Sequence, residues 1–275
     1  MLQEPVIVSV LQTKASTNVS DNMRRLNLLV KKTAGDILVM PEYAMIDPTN
    51  LSAEELYKVS YEWSGKWLDN LKKLAREYDS CIIGTLFEPS SDKPRVYNTA
   101  VVIDRSGEIV ASYSKTHLFD ILGFRESDKI ARGEKLFEPV DVCGTRIGLA
   151  ICFEIRYPEL FRLQAEKGVD VFFVPSAWYT GHGKEEAYRV LAQARAHENV
   201  SYVVGAVLYG EYFTGRSLIV DPRGVVVAEA GFGERVVEAI LEPEVLAEAR
   251  RLMPLLDLRR KDLYRLEGTI EENKS

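Results

Sequence analysis

The chain has 275 residues, 46% of them hydrophobic, and a formal charge of -6 at neutral pH. That is enough apolar matter for one large α/β core or two ordinary ones. The acidic balance gives no field for nucleic acid or an anionic membrane, and no apolar run approaches the roughly 20 residues that span a bilayer.

The opening MLQEPVIVSVLQT lacks a basic n-region and a cleavage site, so PVIVSVLQ (5–12) reads as a strand and not as a signal peptide. Ser20 or Asp21 can cap a helix that carries Leu26, Leu29 and Val30 on one face and stops at Gly35. DILVM (36–40) is a short buried strand that ends at Pro41. Ser52-Ala53-Glu54-Glu55 has the form of a capping box, and Ser64 opens a further helix with Trp67, Leu68, Leu71 and Leu74. CIIGTLF (81–87) returns to strand, and VYNTAVVIDRSGEIVASYS (96–114) forms a hairpin turning at 104–107.

The second half repeats this grammar. IGLAI (147–151) is a strand closed by Cys152, YPELFRLQAEKG (157–168) is a short helix, and VDVFFVP (169–175) is a strand terminated by a proline. An amphipathic helix follows over 185–199, then strand SYVVGAVL (201–208) and a hairpin, SLIVDPRGVVVAEAG, turning at 221–224. The repetition suggests a weak internal duplication, with both halves adding sheet to one core. A single domain over 1–267, followed by a polar tail at 268–275, is the expected organisation.

Missing motifs narrow the chemistry. There is no GxGxxG after the first strand, no GxxxxGK[ST] and no GxSxG elbow, which counts against dinucleotide, P-loop and serine-hydrolase sites. Three histidines without HExxH or CxxC make a zinc site unexpected. The cysteines Cys81, Cys143 and Cys152, an odd number, fit a reducing cytoplasm better than a disulfide scaffold. A cytoplasmic enzyme is the expectation.

Three groups sit where apolar strands give way to connections: Glu42 after VMP, Lys115 after IVASYS and Cys152 after IGLAI. Singly, each has a plain explanation, since a free cysteine packs like a small hydrophobe and a lysine at a strand end is ordinarily solvated. In parallel α/β sheets, however, ligands gather beyond the carboxyl ends of strands, where such exits converge. Together the three supply a carboxylate to take a proton, a thiol to attack and an ammonium to stabilise an oxyanion.

On these residues the chain resembles the nitrilase superfamily of carbon–nitrogen hydrolases, in its amidase-like branch. LVMPEYA, SYSKTHLFD, GLAICFEIRYPEL, VPSAW, QARAHENVSYVVGA and GRSLIVDPRGVVVAEAG carry the likeness in order over most of the chain. The resemblance implies an α/β, four-layer αββα sandwich of two mixed β-sheets flanked by helices. It implies Glu42 as general base, Lys115 at the oxyanion and Cys152 as nucleophile. It also implies hydrolysis of a small amide through a thioester with no cofactor and no metal, and a homodimer of stacked sandwiches. A second glutamate is expected in FRESDKIARGE, where Glu126 lies seven residues before Gly133, with Glu134 and Glu138 as alternatives. The Phe153 backbone N–H can share the oxyanion with Lys115. Trp178 lines the acyl pocket or serves core or interface packing, and Arg216 falls near a pocket rim or dimer edge. The apolar stretch at 252–266 is expected to pack on a partner subunit. The expected reaction releases ammonia from a small amide; action on a nitrile or an N-carbamoyl amine, or a non-catalytic partner-binding role on the same fold, are the alternatives.

Overall fold

The computed structural model describes residues 2–264 and 266. The first half runs β1 (Val6–Gln12), α1 (Val19–Val30), β2 (Ile37–Val39), α2 (Ala53–Tyr78), β3 (Cys81–Pro89), β4 (Val96–Ile103) and β5 (Ile109–Ser114). The second runs β6 (Val140–Val142), β7 (Thr145–Leu149), α3 (Pro158–Ala165), β8 (Val171–Ser176), α4 (Lys184–Asn199), β9 (Tyr202–Val207), β10 (Leu218–Val220) and β11 (Val226–Glu229). A last strand, β12 (Arg235–Leu241), and α5 (Pro243–Leu252) follow.

The strands make two six-stranded sheets, ordered β12-β1-β2-β3-β4-β5 and β11-β10-β9-β8-β7-β6. In the first, β1, β2 and β3 are mutually parallel and the remaining pairings antiparallel; in the second the same holds around β7, β8 and β9. Read from β6 to β11, the second sheet repeats the pairing pattern of the first read from β12 to β5. The duplication legible in the sequence is thus a repeat of topology.

Period-two alternation sets the layers. Ile37, Val39, Ile83 and Val102 point between the sheets and pack with Ile147, Leu149, Val171 and Val204. Their neighbours Leu38, Ile82, Val101 and Ile103 point outward onto Leu26, Leu29, Trp67 and Leu71 of α1 and α2. The far face of the second sheet is covered by Phe161 of α3 and Tyr188, Ala192 and Ala196 of α4. This is the αββα sandwich that the resemblance implied. Among the described residues no helix is long and apolar enough to cross a membrane.

Several local expectations are corrected. The cap of α1 is Asn18, whose side chain accepts from the Asp21 N–H at 3.1 Å, and not Ser20 or Asp21. The capping box at Ser52 and Glu55 is present, but α2 continues without a break through Ser64. Its buried stripe, Leu56, Ser60, Trp67, Leu71 and Leu74, spans that position, so packing overrides the local start signal. β8 runs past Pro175 to Ser176, because proline forfeits only its own N–H while its neighbours keep pairing. β12 and α5 had no boundary signal in the sequence; β12 completes the first sheet, and α5 is tied to the second, where Arg250 bonds Asp170 and the Val169 and Val200 carbonyls. The proposed domain limit at 267 and the tail at 268–275 lie outside the described residues.

The cysteine reading is also corrected. Cys81 and Cys143 form a disulfide, with Cα atoms 6.3 Å apart and a sequence separation of 62. It joins the start of β3 in one sheet to the β6–β7 turn in the other, a proximity that only the stacking of the sheets creates. Cys152 is the free thiol. The paired cysteines remove the support that an odd cysteine count lent to a reducing compartment.

Candidate active site

Glu42, Lys115 and Cys152 follow β2, β5 and β7. β2 and β3 are parallel, and two antiparallel steps from β3 through β4 give β5 the same direction, so the Glu42 and Lys115 exits share one end of the first sheet. The second sheet presents Cys152 to them across the inter-sheet crevice. Cys152 does not end the strand as expected: β7 stops at Leu149, and Cys152 begins a 3-10 turn over Cys152–Arg156 with φ of 50°. Tyr43, just after Glu42, has φ of 63°. Left-handed conformations at bulky residues cost about 1–3 kcal/mol each and survive only where surrounding contacts over-determine them. Here they turn the chain sharply as it leaves each sheet.

The polar network is dense and buried. Lys115 Nζ donates to Glu42 Oε1 at 2.9 Å and to Glu126 Oε1 and Oε2 at 2.9 and 3.0 Å. The Lys115 and Glu42 side chains are each 1% exposed and that of Glu126 7%. Glu42 also accepts from Asn98 Nδ2 at 2.7 Å and from the Ala177 N–H at 2.8 Å. Glu126 accepts further from the Phe119 N–H at 2.6 Å and the Tyr43 hydroxyl at 3.3 Å.

The choice among glutamates is therefore geometric. Glu126 reaches Lys115, whereas Glu138 pairs with Lys167 and Glu134 is exposed. The seven-residue spacing to Gly133 acquires a reason as well. The Gly133 N–H donates to the Lys115 carbonyl at 2.8 Å, and a Cβ there would lie 2.0 Å from the Ser114 oxygen. One segment grips the lysine at both ends.

Burial and the Glu42 carboxylate push the Cys152 thiol well above its ordinary value, with Lys115 opposing them. The resting thiol is neutral at neutral pH. Burial also works to lower the Lys115 pKa, but Glu126 and Glu42 outweigh it and keep the ammonium charged. Glu126 is raised by burial and by Glu42, against the pull of Lys115. The arrangement can deliver a thiol proton to Glu42 during attack and hold an anion at Lys115.

Above this network lies a cavity of about 220 Å³ lined by Cys152, Phe153, Trp178, Arg156, Lys184 and Tyr179, among others. Phe153 and Trp178 thus both reach the cavity. Trp178 is at once a buried core residue, edge-on to Tyr188 with ring centroids 5.0 Å apart. Arg216 does not line it; it pairs with Glu229. Sequence reasoning missed Asn98, whose signal was an amide inside the apolar run VYNTAVV, and it gave no role to Glu154 or Arg156. Among the described residues, no group of three or more His, Cys, Asp or Glu side chains is placed to hold a metal ion.

Comparison with known proteins agrees with the geometry. A family model described as carbon–nitrogen hydrolase matches residues 7–251. The chain is 36% identical over 207 residues to the omega-amidase NIT3 of Saccharomyces cerevisiae, covering 70% of each protein. It is 31% identical over 236 residues to the deaminated glutathione amidase of Escherichia coli O157:H7, covering 85% of this chain and 89% of that one. Among solved structures, the C. elegans NitFhit protein superposes with a TM-score of 0.91 at 26% identity, covering 99% of this chain and 70% of that chain. Saccharomyces cerevisiae Nit3, a member of branch 10 of the nitrilase superfamily, gives 0.82 at 28% identity, covering 94% and 97%. The chain belongs to the carbon–nitrogen hydrolase family of the nitrilase superfamily and is a hydrolase of amide carbon–nitrogen bonds.

Proposed function

We propose that this amidase releases ammonia from short ω-amides whose far end carries a carboxylate. The observation that carries the reading is Arg156. Its guanidinium lies 4.0 Å from the Trp178 ring centroid and 5.0 Å from that of Phe153, on the wall of the cavity that holds Cys152. Its Nη1 is buried and has no hydrogen-bond partner among the described residues. Lys184 Nζ stands 5.6 Å from the same Trp178 centroid. Burial, and for Lys184 also the nearby guanidinium, disfavours both charges, so an anion between them would relieve a real cost. At about 220 Å³ the cavity is smaller than the roughly 300–1,000 Å³ typical of drug-sized ligands, which suits a short acyl chain. The names of the relatives, omega-amidase and deaminated glutathione amidase, point to amides of acids.

In this reading Glu42 takes the thiol proton as Cys152 sulfur attacks the amide carbon. The oxyanion rests against Lys115 and the Phe153 N–H. Collapse breaks the C–N bond, and the proton held by Glu42 leaves with ammonia, giving a thioester. Water deprotonated by Glu42 then attacks the thioester; the acid departs and Cys152 recovers its proton. Glu126 holds Lys115 in place through the step.

Arg156→Met keeps the apolar stem and removes the charge. For succinamate, KM should rise about 10- to 100-fold, the worth of one charge-assisted hydrogen bond. Butyramide, which lacks the carboxylate, should be hydrolysed as before. Equal losses on both substrates would refute the anion subsite.

The homodimer is part of the same proposal. Leu252, Leu258, Leu263 and Tyr264 are between 51% and 70% exposed, more apolar surface than one segment of a monomer ordinarily shows to water. Light scattering at micromolar concentration should give twice the chain mass, and Leu258→Glu with Leu263→Glu should halve it. Full activity in a wild-type monomer would count against the assembly.

A further inference from the structure

We infer that Glu154 is a positioning residue for the reaction: one buried carboxylate holds the nucleophile turn and the lysine loop in register across the two sheets. This rests on the roles proposed for Cys152 and Lys115. Glu154 lies two residues beyond Cys152 and is 0% exposed. Its Oε2 accepts the Ile151 N–H at 2.8 Å. Its Oε1 accepts the Tyr113 hydroxyl at 2.7 Å, the Thr116 N–H and hydroxyl at 2.8 Å each, and the His117 N–H at 3.1 Å.

The pattern is specific. Ile151 immediately precedes Cys152, and Thr116 immediately follows Lys115. Each reacting residue is thus one peptide from an N–H bonded to the same carboxylate, although β7 and β5 belong to different sheets. Among the described residues no lysine or arginine pairs with Glu154; the titratable side chain facing it is His117, with Nδ1 3.7 Å away. Burial works to raise the Glu154 pKa, but hydrogen bonds from His117, Ile151, Tyr113 and Thr116 outweigh it and keep the group ionised. A buried carboxylate costs several kcal/mol in desolvation, and apolar replacements of buried charges are often neutral or stabilising. Stability alone is a weak reason for a charge here. An acceptor-only group that gathers five donors from two exits is a strong one for alignment.

Glu154→Gln turns one end of the clamp into a donor facing donors. Glu154→Asp keeps the charge but is one methylene too short to reach both exits. With succinamate, E154Q should lower kcat about 100-fold with KM within about threefold, the loss expected when reacting groups shift by about 1 Å. E154D should recover part of it, to within about tenfold of wild type. Circular dichroism and a cooperative melt establish that each variant is folded, and if E154Q is not, the E154D split between kcat and KM decides. A folded E154Q at wild-type kcat, or an effect confined to KM, overturns the positioning role alone. Iodoacetamide that alkylates Cys152 in the wild type without loss of turnover overturns the nucleophile reading and this role with it.

Discussion

Cys152→Ala should abolish ammonia release, with a loss on the order of 10⁴–10⁶ in kcat, as expected when a covalent nucleophile is removed. The fold should be unaffected, because one sulfur at the cavity wall leaves only a small void. Cys152→Ser should be nearly inactive too, since Glu42 would face a hydroxyl far harder to deprotonate than a thiol. The raised pKa of Cys152 adds a kinetic signature. The proton leaves during attack and not before it, so iodoacetamide should react slowly compared with an exposed thiolate and faster when pH rises. Labelling without reductant should map to Cys152 alone, because Cys81 and Cys143 are joined to each other. Rapid quenching with a slow substrate should trap an acyl adduct on the same residue by intact mass. Turnover by the alanine variant, or an adduct elsewhere, would remove the thioester pathway.

The second large effect is expected at the two groups bonded to each other beside that thiol. Glu42→Gln preserves shape and removes the base, so the acylation rate should fall about 10²–10⁴-fold. Lys115→Met should match it by deleting the oxyanion donor. It should also destabilise the protein by about 3–5 kcal/mol, because Glu42 and Glu126 would be left buried without their shared cation. Single-turnover rates measured well below the melting transition separate the two consequences. Near-normal acylation by the Glu42→Gln variant would show that another group takes the proton.

How much of this was legible in the sequence follows from the range of each signal. Capping boxes, hairpin turns and apolar periodicity are local, and they placed most strands and helices. Glu42, Lys115 and Cys152 were visible because each interrupts an apolar run at its exit. What failed was non-local. Asn18 capped α1 in place of Ser20, since cap choice depends on how the preceding loop is held by Asn22. The Cys81–Cys143 bond depends on two sheets meeting, and nothing in a 62-residue spacing announces that. Asn98 and Glu154 have polar side chains in apolar surroundings, which flags them, but their partners lie 56 and about 40 positions away. Arg156 was in plain view inside the best motif, yet its unfilled donor becomes a fact only when the cavity exists.

β12 has one more consequence, which concerns how the protein is made. All seven of its residues pair with β1, the first of the described strands in chain order. When translation has passed Glu229, every side chain of the proposed site and all of the second sheet have been made, while β1 still lacks its outer neighbour. An unpaired strand edge of that kind is a template for foreign backbone. The nascent first sheet must therefore wait, open at β1, until Leu241 is made, and chains that terminate before that residue keep a sticky edge on a fold that lacks α5 as well.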